Sequence, residues 1–539
     1  MFDVLIRNAR VVDGTGAAAF VGDVGIEGDR IAAVGDVSGP SRVEIDAAGL
    51  TAAPGFIDIH THSDYSLLID GRGESALFQG VTTHVCGNCG ISAFPVGGNG
   101  FYFGPFDSAR LRSAVAADWA SAAGYFNTLE RKGVAINAAF FVGHGAVRHT
   151  VMGQSTQRPA LREMEEMKAL VEAQMAQGAL GLSTGLTYMP GSSAKTDEII
   201  ALTAVTAPYG GIYATHMRNY TASIMEALEE AIMIGEEAGV PVHASHITPC
   251  PPATGSADRL LERIDRAQAE GQDVTAETEF YATGSTSLKS LLPPWALEGG
   301  NRRMVERLKA ARQRRRMWRE IQDHGSELGG STKTVLMQRG LWHKLWLGNC
   351  AVNAQLTGRT FAEIGRIRNT HPFEAICDVL VDEGGAASFY GEDKTDPDID
   401  RLARGKYCGV GSDGLAMANT GPLADEREHP RCYGGMAYLI RTLVRERGVL
   451  SLESLVQKLT RFPAERMGFA DRGLVQEGKK ADLVLFDPDG MLDRATIQNP
   501  CLYSVGVRWL FVNGVAAIEE GKATGTRGGR VLRRGLTSN

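Results

Sequence analysis

Short apolar runs alternate with amphipathic helical stretches through the middle of this chain, as at Leu161 to Gln177, Thr221 to Gly239 and Asp258 to Gly271. A strand that returns parallel to its predecessor needs a crossover of that kind, so the texture demands a parallel sheet. Eight candidate strands end near His62, Cys89, His144, Thr184, His216, His246, Tyr281 and Asp413, and eight is the number that closes a barrel. The expected class is α/β, a (β/α)8 TIM barrel over residues 55–475. About 130 residues separate the seventh and eighth strands, far more than an ordinary loop, which predicts a helical insertion at about 282–400 that could serve as a lid.

The two ends read differently. Residues 1–54 alternate in period two around Val4-Leu5-Ile6, Arg10-Val11-Val12 and Arg30-Ile31-Ala32-Ala33-Val34, broken by Asp-Gly and Gly-Asp turns. The same texture returns in residues 476–539, at Lys480 to Phe486 and at Val507 to Gly514, the latter closing on a hairpin-like Asn-Gly. Strands from both termini are therefore expected to pair into one small β-sandwich domain.

Charge narrows the partners. Across 539 residues, 56 basic side chains stand against 63 acidic ones, a formal charge of -7, which is no footprint for nucleic acid or for an anionic membrane. Small molecules fit better, and glycine at 65 residues suits an enzyme rich in tight loops. No apolar run approaches the roughly 20 residues of a membrane span. Met1-Phe2-Asp3 opens no secretion signal, and eight cysteines show no framework spacing, so a cytoplasmic protein with reduced thiols is expected, with a homo-oligomer left open.

The chemistry concentrates at strand ends. In Gly55-Phe56-Ile57-Asp58-Ile59-His60-Thr61-His62 an apolar strand ends in two histidines one residue apart, and positions i and i+2 of a strand face the same way. Two imidazoles aimed together are half of a metal site. Cys89, His216, His246 and Asp413 then arrive at further strand ends, and the strand ends of a parallel barrel converge on one face. Each has a plain alternative as a core histidine or an inert buried thiol; five strands each ending in a ligand-type residue do not. Cys86 and Cys89 also form a Cys-x-x-Cys, but no second pair completes a zinc ribbon, and Cys86 is expected to pack away from the site. His84 and His243 are expected to face the helices. His144 is a weaker site candidate, and the basic run from Arg312 to Arg319 reads as a solvated helix face.

These residues resemble the amidohydrolase superfamily and, within it, the N-acyl-D-amino-acid deacylases. The resemblance spans nearly the whole chain: Pro54 to His62, Gly87-Asn88-Cys89-Gly90, Leu182 to Tyr188, Thr215-His216-Met217-Arg218, Gly284 to Leu288, Leu292-Pro293-Pro294-Trp295, Gly411-Ser412-Asp413-Gly414, Pro463 to Arg466 and Glu477 to Val484. The Gly-Asn-Cys-Gly cysteine is specific to the deacylase branch. The resemblance implies a tight zinc on Cys89, His216 and His246, with His60, His62 and Asp413 around a weaker second position. A thiolate there replaces the carboxylated lysine of many relatives. It further implies hydrolysis of an amide C–N bond of an N-acyl amino acid, D-configured, or of a related amide, by metal-activated water, with Asp413 taking the water proton and delivering it to the leaving amine.

Substrate contacts are where the chain departs from the family. Ser245-His246-Ile247-Thr248 puts Thr248 where a lysine commonly helps hold the substrate α-carboxylate, and Thr278-Glu279-Phe280-Tyr281 introduces a carboxylate. A hydroxyl cannot supply the charge-assisted bond of an ammonium. Either another cation takes over, from the insertion or from Arg218, or the substrate lacks a free α-carboxylate. Tyr188, Arg218, Thr248 and Tyr281 are the candidate substrate-binding residues. Two other functions fit the same texture: a cyclic-amide hydrolase of the dihydropyrimidinase or hydantoinase kind, against which the Gly-Asn-Cys-Gly cysteine argues, and a catalytically silent scaffold, which would be expected to lose ligands.

Overall fold

The computed structural model describes residues 1–106, 109–115, 118–325 and 331–535; residues 326–330 of the expected insertion and 536–539 of the C-terminal part lie outside them. Two parallel sheets carry the middle of the chain. One has three strands, Phe56–Asp58, Val81–Cys86 and Asn137–Phe140 in that order. The other has six, running from Val142–Gly143 through Gly181–Gly185, Ile212–His216, Val242–Ala244 and Val274–Thr278 to Cys408–Val410. Only Phe141 interrupts the run from Asn137–Phe140 to Val142–Gly143, and at the other side the chain beyond Asp58 meets the chain beyond Val410. There Thr61 bridges Gly414 in parallel, the Asp413 amide donates to the His60 carbonyl (2.9 Å) and the Ser412 amide to Asp58 Oδ1 (3.0 Å).

The reason these residues take this form is burial on both faces. Val81–Cys86 and Gly181–Gly185 are buried at every position, as parallel strands covered by helices require. The helices Leu161–Met175, Ile224–Ala238 and Ala257–Ala269 supply the cover. Ile224–Ala238 buries Ile224, Ala227, Leu228, Ala231, Ile232, Gly235 and Ala238, the three-and-four spacing of one helical face, and stops at Gly239 in the left-handed region (φ 69°). Gly411 lacks a side chain for a different reason: a β-carbon there would stand 2.9 Å from the His60 β-carbon and 3.2 Å from Glu277 Cγ, displacing both.

Strands from the two ends of the chain hydrogen-bond into one nine-stranded mixed sheet. Phe2–Val11 pairs with Phe20–Glu27, Ser41–Asp46 and Thr51–Pro54, and Thr51–Pro54 pairs antiparallel with Leu483–Phe486, which leads on to Val507–Val512 and Val515–Glu519. A buried polar knot joins this sheet to the parallel strands. Asp482 accepts from Arg472 and from Asn137 Nδ2 (3.1 Å), while Asn513 Nδ2 donates to Asn137 Oδ1 (2.7 Å).

The stretch between Val274–Thr278 and Cys408–Val410 has its own core. Helices Gly300–Leu308, Ala311–His324, Phe361–Arg368 and Pro372–Asp382 pack Met304, Leu308, Met317, Ile321, Phe361 and Ile376 together. It also forms a three-stranded antiparallel sheet, Thr283–Ser287, Ser388–Glu392 and Leu345–Leu347, which no alternation in the sequence announced. The basic run lies on Ala311–His324: Arg314 reaches Glu374 (2.8 Å) and Asp378 (2.7 Å), Arg316 reaches Glu320 (2.9 Å), and Arg312, Arg315 and Arg319 are exposed. Among the described residues no helix is long and apolar enough to cross a membrane, and all eight cysteines are free thiols.

Candidate metal centre

Six side chains expected from their strand ends meet in one place. Their donor atoms form two overlapping groups, Cys89 with His216 and His246, and Cys89 with His60, His62 and Asp413, each group lying within 4.8 Å of mutual separation. Cys89 belongs to both. Its Sγ is 3.6 Å from His246 Nε2, 3.7 Å from His216 Nδ1 and 3.3 Å from His60 Nε2. Zinc–sulfur and zinc–nitrogen bonds at tetrahedral angles set a sulfur-to-nitrogen edge of about 3.5–3.6 Å, so the donors already stand where a zinc polyhedron needs them. Soft thiolate with imidazole is also a donor set that suits zinc. Three of the donors sit on strained backbone: Cys89 (φ 54°), His246 (φ 38°) and Asp413 (φ 53°) occupy the left-handed region, where only surrounding structure holds a non-glycine residue.

Two of the four imidazoles are oriented by a partner on the far nitrogen. His60 Nδ1 donates to Glu277 Oε1 (2.7 Å) and His216 Nε2 to Thr187 Oγ1 (2.8 Å), leaving the other ring nitrogen with its lone pair toward the centre. Glu277, buried and absent from the sequence expectations, is the hub: it also accepts the His246 amide (2.8 Å) and pairs with His243. His243 is thus drawn toward the centre's supporting layer instead of being idle between strand and helices. Burial would neutralise Glu277, but the imidazoles of His243 and His60 keep its carboxyl below the usual range. Its signal in the sequence is a lone acid within the buried strand Val274–Thr278. Replacing Glu277 with glutamine keeps the shape and removes the charge, and is expected to weaken zinc about 10- to 100-fold in chelator competition; unchanged chelator resistance would deny Glu277 that role.

Asp413 faces two ways. Oδ1 lies 2.8 Å from His62 Nε2 and 3.5 Å from His60 Nε2, while Oδ2 is ion-paired with Arg431 Nη1 at 2.8 Å. Burial opposes its charge, yet Arg431 and His62 prevail and hold the carboxyl well below the ordinary range. At Cys89 burial likewise opposes the thiolate, and the imidazoles of His60, His216 and His246 overcome it. Both shifts favour the anionic forms that hold a cation.

The substrate candidates divide. Tyr188 and Thr248 line a cavity with His216, His246 and Asp413; Tyr188 packs its ring 4.8 Å from that of His216. Glu279 enters the same cavity and is paired there with Lys394 and Arg431, so its charge is met. Arg218 is not brought to the centre: it ion-pairs with Glu230 (2.9 Å) beside a different cavity. Tyr281 stacks on Tyr438 (4.2 Å between ring centroids) and does not line the cavity at the centre. His144 pairs with Glu198 (3.0 Å), apart from the donors, and Cys86 lies buried against Thr61. A second, mostly apolar chamber opens on the His62 side, walled by Tyr65, Ile91, Phe106, Met417 and Leu423.

The chain is similar to known proteins along nearly its whole length. Amidohydrolase family models match residues 43–299 and 370–517. D-aminoacylase of Alcaligenes xylosoxydans xylosoxydans is 34% identical over 99% of this chain and 98% of that protein. N-acyl-D-aspartate deacylase of the same organism is 34% identical over 99% of this chain and 95% of its own length. A crystal structure of N-acyl-D-glutamate deacylase from Bordetella bronchiseptica, complexed with zinc and a phosphonate mimic of the tetrahedral intermediate, superposes with a TM-score of 0.80 at 30% identity, covering 99% of both chains.

Proposed function

The chain belongs to the N-acyl-D-amino-acid deacylase family of amidohydrolases, and on that premise we propose that Cys89, His216 and His246 hold its zinc tightly, with His60, His62 and Asp413 around a second, weaker position. It is a zinc-dependent hydrolase of carbon–nitrogen bonds other than peptide bonds, and its substrate is a small N-acyl amino acid or related amide. The observation that carries the assignment of ligands is the shared Cys89 Sγ, flanked by imidazole nitrogens at 3.6 and 3.7 Å. The same reading closes the parallel strands into one (β/α)8 barrel over residues 55–475. Residues 282–400 are then an insertion before the last strand, and residues 1–54 and 476–539 form one β domain.

Zinc bound there supplies Lewis acidity toward the scissile carbonyl and toward water. The protein side supplies the rest. Asp413 takes the proton of the attacking water and hands it to the departing nitrogen, and Arg431 on Oδ2 fixes which carboxylate oxygen faces the reaction. Tyr188 and Thr248 flank the amide on the His216 side, and burial of the cavity walls excludes bulk solvent.

The acyl amino acid reading is tested with zinc-loaded protein and a panel of N-acetyl-D-amino acids, their L enantiomers, dihydrouracil and hydantoin. Release of acetate from D substrates at least about tenfold faster than from L substrates, with both rings untouched, is the expected result. Ring opening as the fastest reaction would transfer the protein to the cyclic-amide hydrolases, and no turnover of any compound with zinc in place would mark a silent scaffold.

A further inference from the structure

The cavity beside the metal centre has a floor from the insertion, and that floor carries two buried ammonium groups. Lys333 and Lys394 line it together with Thr248, Glu279 and Asp413. They converge on one spot. A β-carbon built on Gly284 would stand 2.8 Å from Lys394 Nζ and 3.1 Å from Lys333 Nζ, so the absence of a side chain at residue 284 keeps the space between the two cations open. Residues 8% and 9% exposed do not carry charge without purpose or partner. Lys394 pairs with Glu279, and Lys333 with Asp393 (3.2 Å).

The charges around the cavity do not cancel once the metal is considered. Lys333, Lys394 and Arg431 are three cations; Glu279 and Asp393 are two anions, and the charge of Asp413 is shared with the metal donors. Glu279, Asp393 and Asp413 together match these three cations, and one positive charge is left for a substrate carboxylate when Asp413 serves the metal position. Each ammonium has three donors. Lys333 uses two on Thr332 Oγ1 (3.0 Å) and Asp393, and among the described residues Lys394 pairs with Glu279, so capacity for an incoming oxygen remains. Thr248, by contrast, turns its hydroxyl to Thr278 Oγ1 (2.8 Å).

We propose that Lys333 and Lys394 hold the free α-carboxylate of the substrate, a task moved from the strand end at Thr248 to the insertion. The proposal rests on the deacylase reading above. It resolves the departure at Thr248 in favour of a cation from the insertion, and it makes the enzyme selective for N-acyl amino acids over their carboxamides.

The test compares the best-turned-over N-acetyl-D-amino acid with its carboxamide, on wild-type protein and on Lys333→Met, Lys333→Arg and Lys394→Met, all checked for zinc content. Loss of one charge-assisted contact is expected to raise KM for the acid about 10- to 100-fold. In the two methionine variants kcat is expected to stay within a few-fold of wild type and the acid-to-amide preference to shrink in proportion. Lys333→Arg should recover much of the preference. Binding of the free D-amino acid product, followed by calorimetry, should weaken in parallel. If the acid and the amide lose rate together, or the preference stays at its wild-type value, the lysines merely fasten the insertion and the proposal falls while the deacylase reading stands. If wild-type protein hydrolyses neither compound, both fall.

Discussion

Exchanging Asp413 for asparagine is expected to leave zinc in place and lower kcat by about 10²- to 10⁴-fold, the usual worth of a positioned general acid–base group. The amide keeps the outline of the carboxylate, with an oxygen to face Arg431, though the ion pair itself is lost. What it cannot do is take a proton at neutral pH. The tight zinc should be indifferent to the change, because Cys89, His216 and His246 form a donor group without Asp413. Metal analysis and single-turnover kinetics on the same preparation decide between roles. Retained zinc with collapsed turnover fits a proton carrier, zinc loss would make Asp413 chiefly a ligand, and near-wild-type turnover would remove it from the chemistry altogether.

Cys89 carries the second large effect. A serine there is nearly isosteric, but its hydroxyl does not ionise at neutral pH and binds zinc poorly. If a protein zinc site of about 10–16 kcal/mol is shared among four donors, one donor is worth about 3 kcal/mol, or at least 100-fold in affinity. Cys89→Ser is therefore expected to emerge from a desalting column with most of its zinc gone and to regain activity only at high added zinc. Because Cys89 joins both donor groups, the weaker position should empty with the tighter one. A variant that keeps one tightly bound zinc would overturn the central place given to this thiolate.

How much of this was readable from residues alone differs by element. The helices around Leu161–Met175 and Ile224–Ala238 declare themselves through a single apolar face repeated over four turns. The six donors are legible because they end five strands, His60 and His62 sharing one, and parallel strands make that a shared location. Glu277 and Arg431 were not foreseen: a lone acid within a buried strand marks Glu277 as unusual, but nothing local says which side chains it meets. Lys333 and Lys394 are harder still: 61 positions apart, they meet only through the folding of the chain around Gly284. Arg218 illustrates the opposite case. It follows a metal-type histidine closely in sequence, yet the chain turns after Met217 and sends the guanidinium to Glu230.

The pairing of Thr51–Pro54 with Leu483–Phe486 has a consequence for how the molecule is made. The strand at Thr51 to Pro54 leaves the ribosome long before the partner it must bond to. At about 5–20 residues per second, the 429 positions from Pro54 to Leu483 take roughly 20–90 s to synthesise. During that interval one edge of the early strands is unsatisfied backbone, a template for pairing with other nascent chains. The polar knot of Asn137, Asp482 and Asn513 can tie only after that wait, so the parallel strands must hold together on their own core until the last tenth of the chain arrives to lock the β sheet against them.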